Sequence, residues 1–427
     1  MILNLPLDNL LVRAATMLAA LALCLGLGTL ARARYVINTL SDQGVKASPA
    51  ALAEAVRRFP DSARLQAQLA TLTLTHALDF EASLELAENA ATRAVNLAPH
   101  NVNYRLTLAA VQSVNGELAL QEEHLRAAVA LAPHYPQVRW QLANLLVREG
   151  KLEPSLAEFR QAVTVSPALL PSALDLLWEF SGGDLNALNQ VTGEALKNRF
   201  SLAQFLLQQG RVPEAAQVFS RIDLSAKLAA PEAAEFLNKL LVEGQPEWSR
   251  RLWLEMRGQR AAAPPLVWNG GFESERLTGL TQFDWQLKRS EYANASIDQN
   301  VAHTGARALR LDFAGRDTTR LADEIKQLVV LRPGARYRLE CYVKTARLVT
   351  TEGPRLAVIN HATSQTVAAT NAISAEAATW QPLAVDFIAP ADQKLYWLAA
   401  LRTPKFSYDE PTKGTIWFDD CALAEVK

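Results

Sequence analysis

The sequence predicts a multidomain protein with an N-terminal transmembrane helix, an all-α solenoid of helical repeats and a C-terminal all-β sandwich. Three observations predict this order. An uncharged apolar run extends from Ala14 to Ala31, a fixed-period repeat follows, and period-two alternation replaces helical periodicity after Pro265. At 427 residues the chain is too long for one ordinary core, so we expect several domains.

The balance of charge excludes two classes of partner. The chain has 43 basic and 44 acidic residues, and no long block of like charge interrupts this balance. A nucleic-acid binder or a polybasic membrane patch requires a cationic excess. The sequence therefore predicts no nucleic-acid partner.

The apolar run from Ala14 to Ala31 is long enough to cross the hydrocarbon core of a bilayer as a helix. Arg13 precedes it and Arg32 follows, so flanking charge gives no orientation. A cleavable signal peptide, a lipoprotein signal at Cys24 and a buried helix of a soluble domain are the alternatives. We expect residues 1–40 to be a single-pass signal anchor in a bacterial inner membrane, with the other domains in the periplasm.

The repeats are visible as segments that recur in register. Pro99, Pro133 and Pro167 are 34 residues apart, since 133 − 99 = 34 and 167 − 133 = 34. Small residues allow two helices to pack closely, glycine ends the first helix, and proline ends the second. These types occupy matching places in two successive units, Ala109, Gly116, Leu125, Ala128 and Pro133 in one and Ala143, Gly150, Phe159, Ala162 and Pro167 in the next. The period predicts stacked helix pairs that bury their apolar faces against one another.

This pattern resembles the tetratricopeptide repeat (TPR). The resemblance covers residues 48–258, with a third copy from Ala203 to Ile222 and a degraded segment between Ala168 and Leu196. Members of that family bind peptides along the concave face formed by the first helix of each pair, so the resemblance implies a protein partner. The residues that it places on this face are Asn103, Gln137, Trp140, Asn144, Arg148, Lys197, Gln204 and Gln208. The alternative is an ordinary solvated surface, with Trp140 packed between units.

Residues 265–427 have the pattern of an all-β domain. Short runs with period-two alternation are separated by Gly, Pro and Asn turns, which is typical of a sandwich of two sheets. The predicted strands are 308–313, 337–343, 383–388, 395–401 and 416–419.

An ordered set of landmarks runs through this domain. Asn269–Glu273 opens it, His303–Gly305 precedes one strand, Trp380 precedes another, and Phe418–Asp420 closes it. The set resembles the jelly-roll carbohydrate-binding modules found attached to bacterial polysaccharide hydrolases. That resemblance spans residues 265–427 and implies a jelly-roll sandwich and a polysaccharide as partner.

The same resemblance implies a structural calcium ion that ties the first strand region to the last. The matching side chains are Glu273 and Asp419, with backbone oxygens of residues 303–305 as further ligands. Carboxylate and carbonyl oxygens are the ligands that calcium prefers. The alternative is a pair of ordinary strand-end carboxylates that bind arginine.

Sugar binding needs exposed aromatic faces beside hydrogen-bonding groups, because a pyranose has an apolar C–H surface and a rim of hydroxyls. By the resemblance, Trp285 and Trp380 are core residues, and Trp417 lies on a predicted strand. The remaining candidates for a sugar platform are Tyr292, Tyr396, Trp397, Phe406 and Tyr408. Each of these also suits packing.

Cysteine is sparse in this chain. Cys24 lies in the apolar run, and Cys341 and Cys421 lie on predicted strands. The last two either form one disulfide in an oxidising compartment or are small buried hydrophobes. No Cys/His cluster has the spacing of a zinc site.

Sequence motifs for catalysis are missing. The sequence has no nucleophile elbow, zinc-protease motif, phosphate loop or dinucleotide fingerprint. Asp419 and Asp420 are neighbours on a strand, so their side chains point to opposite faces and cannot flank one glycosidic bond. The sequence therefore predicts a non-catalytic envelope scaffold that binds a protein through its repeats and glycan through its sandwich, in export or assembly of an exopolysaccharide. The alternatives are an assembly factor that binds only proteins and a degenerate hydrolase.

Overall fold

The computed structural model describes residues 16–24, 27, 49–76, 81–259, 264–275, 279–404 and 411–426. The chain divides into two compact units, Met1–Glu194 and Ala195–Lys427. The division falls within the predicted repeats, so the last helices belong to the same unit as the strands.

The predicted transmembrane segment is covered only in part. Residues 16–24 and 27 are helical, and the rest of the run from Ala14 to Ala31 lies outside the described residues. Within the described ranges, no helix is both long enough and apolar enough to cross a membrane.

The first unit consists of helices. Their bounds are α1 Pro49–Arg58, α2 Ala63–His76, α3 Glu81–Leu97, α4 Val102–Asn115, α5 Leu118–Leu131, α6 Pro136–Arg148, α7 Leu152–Val165, α8 Leu170–Ser181 and α9 Leu185–Thr192. Successive helices α2 and α3, α4 and α5, and α6 and α7 pack against each other as pairs. This arrangement confirms the predicted helical repeats.

The repeat residues have the roles that their spacing predicts. Gly116 and Gly150 end α4 and α6 with φ of 80° and 74°, a left-handed backbone that favours glycine. Leu125 and Phe159 occupy matching places in α5 and α7, and both are fully buried. Asn101 caps α4, because its side-chain oxygen accepts hydrogen bonds from two backbone N–H groups of the first turn.

The second unit begins with five more helices among the described residues. They are α10 Leu196–Gln208, α11 Val212–Ser220, α12 Leu224–Ala229, α13 Pro231–Val242 and α14 Pro246–Met256. Phe200, Phe219 and Phe236 form a buried row, with ring centroids 6.0 and 4.8 Å apart in succession. The row extends the predicted third repeat into the next helix pair.

The rest of the second unit is a sandwich of two five-stranded antiparallel sheets. The first sheet has the order β1-β4-β9-β6-β7, and the second has the order β2-β3-β10-β5-β8. The strands are β1 Gln286–Leu287, β2 Ala293–Asp298, β3 Ala308–Arg316, β4 Ile325–Val330, β5 Arg336–Val349, β6 Arg355–Asn360, β7 Thr366–Ala369, β8 Gln381–Ile388, β9 Leu395–Leu401 and β10 Thr412–Glu425. The five predicted strands correspond to β3, β5, β8, β9 and β10.

Alternation along β5 separates the core of the sandwich from its outer face. Leu339, Cys341 and Val343 are buried in the core. Tyr342 and Lys344 alternate with them along the strand, so they are half-buried and point outward. Cys341 forms a disulfide with Cys421 of β10, the neighbouring strand. Of the two alternatives for this pair, the structure has the disulfide.

The start of the sandwich is pinned to its last strand at Gly270. The carbonyl oxygen of Gly270 accepts a hydrogen bond of 2.9 Å from the Cys421 amide. A Cβ atom at residue 270 would collide with the Cys421 carbonyl, so only glycine allows this approach.

The last repeat helix packs on the sandwich. The Trp253 ring is buried and makes edge contacts with Trp268 and Phe283 at centroid distances of 5.4 and 5.9 Å. Its indole N–H donates to the Leu280 carbonyl at 2.9 Å, and α14 contacts β4. These contacts explain why the strands and the preceding helices form one compact unit.

Candidate functional site

A groove in the first unit lies between α2 and α4, the first helices of two successive pairs. It has a volume of about 410 Å³, within the usual range for ligand pockets. Asn103, Tyr104 and Thr107 line it from α4, and Gln68 and Thr71 line it from α2. Asn103 is the predicted peptide-binding residue that the structure places in this groove.

The other predicted peptide-binding residues of the first unit follow one face of α6. Gln137 and Arg148 are exposed, and Trp140 and Asn144 are half-buried. The Asn144 amide donates a hydrogen bond of 2.7 Å to the Trp140 carbonyl in its own helix. The Trp140 ring makes an edge contact with Phe159 of α7 at 5.0 Å. Both side chains thus have partners within their helix pair.

Arg148 connects three helices. Its guanidinium donates to Ser113 Oγ of α4 and to Gln121 Oε1 of α5, both at 3.3 Å. Lys197, Gln204 and Gln208 of the same predicted face lie on α10, in the second unit.

In the second unit, three aromatic side chains gather on the outer face of the second sheet. We call His303, Tyr342 and Trp380 the ring cluster. The His303 and Tyr342 rings are stacked, with centroids 3.9 Å apart and planes 14° from parallel. Trp380 meets the His303 ring edge-on at 5.6 Å. All three are half-buried, so part of each ring faces solvent.

The loop that carries His303 is held by carboxylates from the two ends of the sandwich. Glu273 Oε1 accepts hydrogen bonds from the amides of Ala306 and Arg307 at 2.7 and 2.9 Å. Asp419 Oδ2 accepts from the amides of His303 and Thr304 at 2.6 and 3.2 Å. The loop therefore has little freedom to move away from the ring cluster.

Asp420 fixes the His303 side chain itself. One Asp420 oxygen lies 2.7 Å from His303 Nδ1, and the other accepts from Thr304 Oγ1 at 2.8 Å. We call Glu273, Asp419 and Asp420 the carboxylate clamp. The expectation that Asp419 and Asp420 point to opposite faces is therefore wrong, because a β-bulge between Asp419 and Ala422 in the pairing of β10 with β5 lets both reach the same loop.

The carboxylate clamp concentrates negative charge. A Cβ atom on Gly271 would lie within 4 Å of Asp419 Oδ1, Asp420 Oδ1 and the Glu273 side chain. Burial raises the pKa of Asp419, because a charged carboxylate loses its hydration there. Among the described residues, no lysine or arginine forms an ion pair with Glu273 or Asp419, so the alternative of arginine-paired carboxylates does not fit.

The carboxylate oxygens of the clamp are the kind of ligand that a hard divalent cation prefers, and the resemblance implies calcium here. However, the loop amides of residues 303, 304, 306 and 307 already bind Asp419 and Glu273. In the part of the chain that the structure describes, no three His, Cys, Asp or Glu side chains form a group that could hold a metal ion. Backbone oxygens would therefore have to complete the coordination of any bound ion.

Polar side chains adjoin the ring cluster on the same outer face. Arg310 of β3 binds Asp312 through two hydrogen bonds, at 2.8 and 3.0 Å. The Trp417 indole N–H donates to Asp298 at 2.9 Å, and the Arg310 guanidinium lies over the Trp417 ring at 5.7 Å. The face therefore combines aromatic surface with charged hydrogen-bonding groups, which is the chemistry of a glycan platform.

Of the described residues that are predicted for sugar binding, Tyr396 and Trp397 lie on β9 of the first sheet, and Tyr292 lies beside β2 of the second. Tyr396 is fully buried in the core, and burial raises the pKa of its phenol to about 12. It has no face for a ligand, so the prediction for Tyr396 is wrong. Trp397 is half-buried on the first sheet, with Lys326 Nζ 4.5 Å from its ring centroid. Tyr292 is half-buried beside β2, while Phe406 and Tyr408 lie outside the described residues.

Sequence reasoning missed the ring cluster because its members are far apart in the chain. The resemblance implies that Trp380 is a core residue, but it is half-buried beside His303. The alternation of β5 could have placed Tyr342 on the outer face, because its neighbours Cys341 and Val343 have the character of core residues. No signal in the sequence indicates that residue 303 stacks on residue 342.

Comparisons with known proteins show similarity to parts of the fold. No protein-family model matches the sequence, and no curated protein is similar to it. A structure of CBM4 is 16% identical with a TM-score of 0.28, covering 38% of this chain and 99% of that one. A crystal structure of MamA is 12% identical with a TM-score of 0.32, covering 39% and 95%. A thermophilic TPR protein of Thermus thermophilus is 24% identical with a TM-score of 0.26, covering 38% and 95%. Solved structures that are similar to this chain therefore include both a carbohydrate-binding module and a TPR protein.

Proposed function

We propose that this chain is a non-catalytic envelope scaffold that binds a protein partner through its helical repeats and a polysaccharide through its sandwich. The observation that carries the proposal is that one chain has both a repeat groove, in its first unit, and an aromatic and charged sheet face, in its second unit. The process that it would serve is export or assembly of a surface polysaccharide.

The repeat groove supports a peptide as the ligand of the first unit. It is lined by amide, hydroxyl and phenol side chains from two successive first helices. An amide can donate to and accept from a peptide backbone, and Asn103 is exposed at the edge of the groove. An extended segment of a partner would bind along this line of first helices.

The ring cluster supports a glycan as the ligand of the second unit. The stacked rings of His303 and Tyr342 offer apolar surface, and the Arg310 and Asp312 side chains of β3 lie on the same sheet face. A pyranose needs both kinds of contact. Calcium at the carboxylate clamp would hold the His303 loop in place and offset the charge of Glu273 and Asp419.

Affinity electrophoresis tests the glycan. The full chain is run through gels that contain a panel of soluble polysaccharides, with calcium or with a chelator. Tyr342→Ala and Trp380→Ala should each weaken retention about tenfold, because each removes one ring contact. Trp248→Ala, which removes a half-buried ring from α14, is the matched control and should change nothing. An assay for new reducing ends in the same samples should detect none.

Two results would contradict the glycan and calcium proposals separately. If no polysaccharide retains the chain, the glycan proposal is contradicted. The alternative, an assembly factor that binds only proteins and has a structural sandwich, then remains. A melting temperature that chelation leaves unchanged would contradict the calcium proposal, whatever the result for sugar.

Selection of displayed peptides tests the repeat groove. Peptides that bind the full chain should lose binding to Asn103→Arg, because the larger side chain fills the groove. Gln161→Arg, the same amide-to-arginine exchange at an exposed position of the second helix α7, should bind them normally. Peptides that bind both variants equally would contradict the assignment of the groove.

The anchor belongs to the same proposal but rests on the sequence alone. Residues 1–40 would fix the chain in the inner membrane, with the helical repeats and the sandwich in the periplasm. Fractionation of cells after an alkaline carbonate wash tests it, since an anchored chain stays with the membrane. Release into the wash would contradict the anchor.

A further inference from the structure

A large groove lies in the second unit between its helices and its sandwich. It has a volume of about 1380 Å³, which exceeds the usual range for small-molecule pockets. Helices α12 and α14 form one side, and β4 with the turn around Arg332 and Pro333 forms the other. A groove of this size suits a segment of a polymer. It shares no residue with the repeat groove, the ring cluster or the carboxylate clamp.

The acidic side chains of this groove are all occupied. Asp223 caps α12 by accepting from the amides of Ser225 and Ala226 at 3.0 and 3.4 Å. The other three carboxylates form ion pairs with cations of the same groove, and these pairs are Lys394–Glu247, Arg251–Glu255 and Arg332–Glu425. Three of the four carboxylates are therefore ion-paired, and the five described cations that line the groove exceed its four acidic side chains by one.

Two cations of the groove have no acidic partner. In the described residues, neither Lys227 nor Arg250 forms an ion pair. Lys227 is 7% exposed; among the described residues its ammonium donates to the Ser220 carbonyl at 3.3 Å and lies 5.2 Å from the centroid of the Phe219 ring. Burial lowers the pKa of both cations, because both lose hydration; the charges of Glu255 and Asp223 offset this only in part for Lys227, and no charge offsets it for Arg250.

Arg250 retains donors for a ligand. Its Nη2 atom donates to the carbonyls of Pro265 and Leu266, and a guanidinium has five N–H donors in a planar fork. The fork matches the two oxygens of a carboxylate. An incoming anion would therefore meet a cation that is already desolvated and held in place.

We propose that this groove binds an acidic peptide segment of a partner protein, with Lys227 and Arg250 as the residues that bind its carboxylates. Charge complementarity supports an anionic ligand. The described lining supports a peptide over an acidic sugar, because its one aromatic ring, Tyr337, is buried and offers no face for stacking. The inference goes beyond the proposed function and does not depend on it.

Fluorescence anisotropy with the full chain tests the proposal. The probe is a labelled octaglutamate peptide, and octaglutamine is the neutral comparison. Octaglutamate should bind, with an affinity that falls as salt is raised, and octaglutamine should not. Lys227→Met and Arg250→Met should each weaken binding about tenfold, because each removes one charge-assisted contact.

Two further variants separate charge from folding. Arg250→Lys keeps the charge but loses the planar fork, so it should bind octaglutamate more weakly than wild type and more tightly than Arg250→Met. Arg338→Gln removes one cation from the outer face of the second sheet and should leave binding unchanged. If Arg250→Met fails to fold, Arg250→Gln, which removes the charge but keeps a polar side chain, replaces it and should weaken octaglutamate binding about tenfold.

Three outcomes would overturn the inference. The first is no binding of octaglutamate at low salt. The second is binding that both methionine variants retain while folded. The third is tighter binding of an oligogalacturonate than of octaglutamate with the same sensitivity to Lys227 and Arg250, because the groove would then recognise an acidic sugar.

Discussion

The Glu273 carboxylate occupies the space into which a side chain at Gly305 would project. A Cβ atom built on Gly305 would lie 2.8 Å from Glu273 Cδ, which is too close for any real contact. Gly305 also has a φ of 66°, in the left-handed region. Glycine at 305 is therefore required twice, once by the backbone and once by the clamp.

Gly305→Ala should displace the His303 loop and lower the free energy of unfolding by about 2–3 kcal/mol, from backbone strain and the collision together. Gly334→Ala is the matched control, because Gly334 has a φ of 74° with open space around it. It should cost only the backbone part, about 1 kcal/mol. Denaturant unfolding of both variants measures the difference. Equal costs would mean that Glu273 yields easily and does not hold the loop.

The disulfide between Cys341 and Cys421 should contribute to stability. It closes a loop with a sequence separation of 80 residues, for which the chain-entropy estimate is about 4 kcal/mol. The paired exchange Cys341→Ser and Cys421→Ser should lower the melting temperature, as should a reducing agent on the wild-type protein. Cys24→Ser is the control and should melt like wild type. Stability that is insensitive to reductant would show that the bond does not form in solution.

The helical repeats could be predicted because their signals are local. A helix pair needs small residues, a glycine stop and a proline at fixed spacing, and Ala109, Gly116 and Ala128 satisfy these needs within one unit. The alternation of β5 and β10 likewise depends on neighbours in the chain. Elements of this kind can be inferred from one sequence.

The candidate site could be predicted only in part, because contacts distant in sequence create it. The resemblance to carbohydrate-binding modules implied Glu273 and Asp419, and both bind the His303 loop. Tyr396 and Trp397 are neighbours on β9, yet the pleat buries the first in the core and leaves the second on the outer face. Composition alone does not show which of two adjacent aromatic residues faces solvent.

Asp298 and Trp417 should give the sandwich a stability that depends on pH. The indole N–H of Trp417 holds the pKa of Asp298 below its ordinary value of 3.8 in the folded state. A lowered pKa means that this stabilisation is present above pH 3.8 and is lost as pH falls through the lower folded-state pKa. Trp417→Phe should therefore cost about 1 kcal/mol at neutral pH and progressively less below pH 3.8.

A double-mutant cycle isolates this pair from other effects of the ring exchange. In an Asp298→Asn background, Trp417→Phe should have a cost that is the same at neutral and acidic pH, because residue 298 no longer titrates. Thermal melting of the four proteins at two pH values gives the comparison. A cost of Trp417→Phe that varies equally with pH in both backgrounds would show that another group is responsible.

Helix α14 should be part of the folding unit of the sandwich. Trp253 is 1% exposed and packs on Trp268. Helix α14 also contacts β4. In that strand Leu328 alternates with the core residue Val329, and it is nevertheless buried. Trp253→Ala should cost about 3–5 kcal/mol, as expected for a fully buried large side chain. A fragment of residues 265–427 should melt at a lower temperature than a fragment of residues 195–427, because it exposes the apolar surface that α14 covers. Trp248→Ala, at a half-buried position of the same helix, should have a much smaller effect. Equal melting of the two fragments would show that the sandwich folds independently of the helices before it.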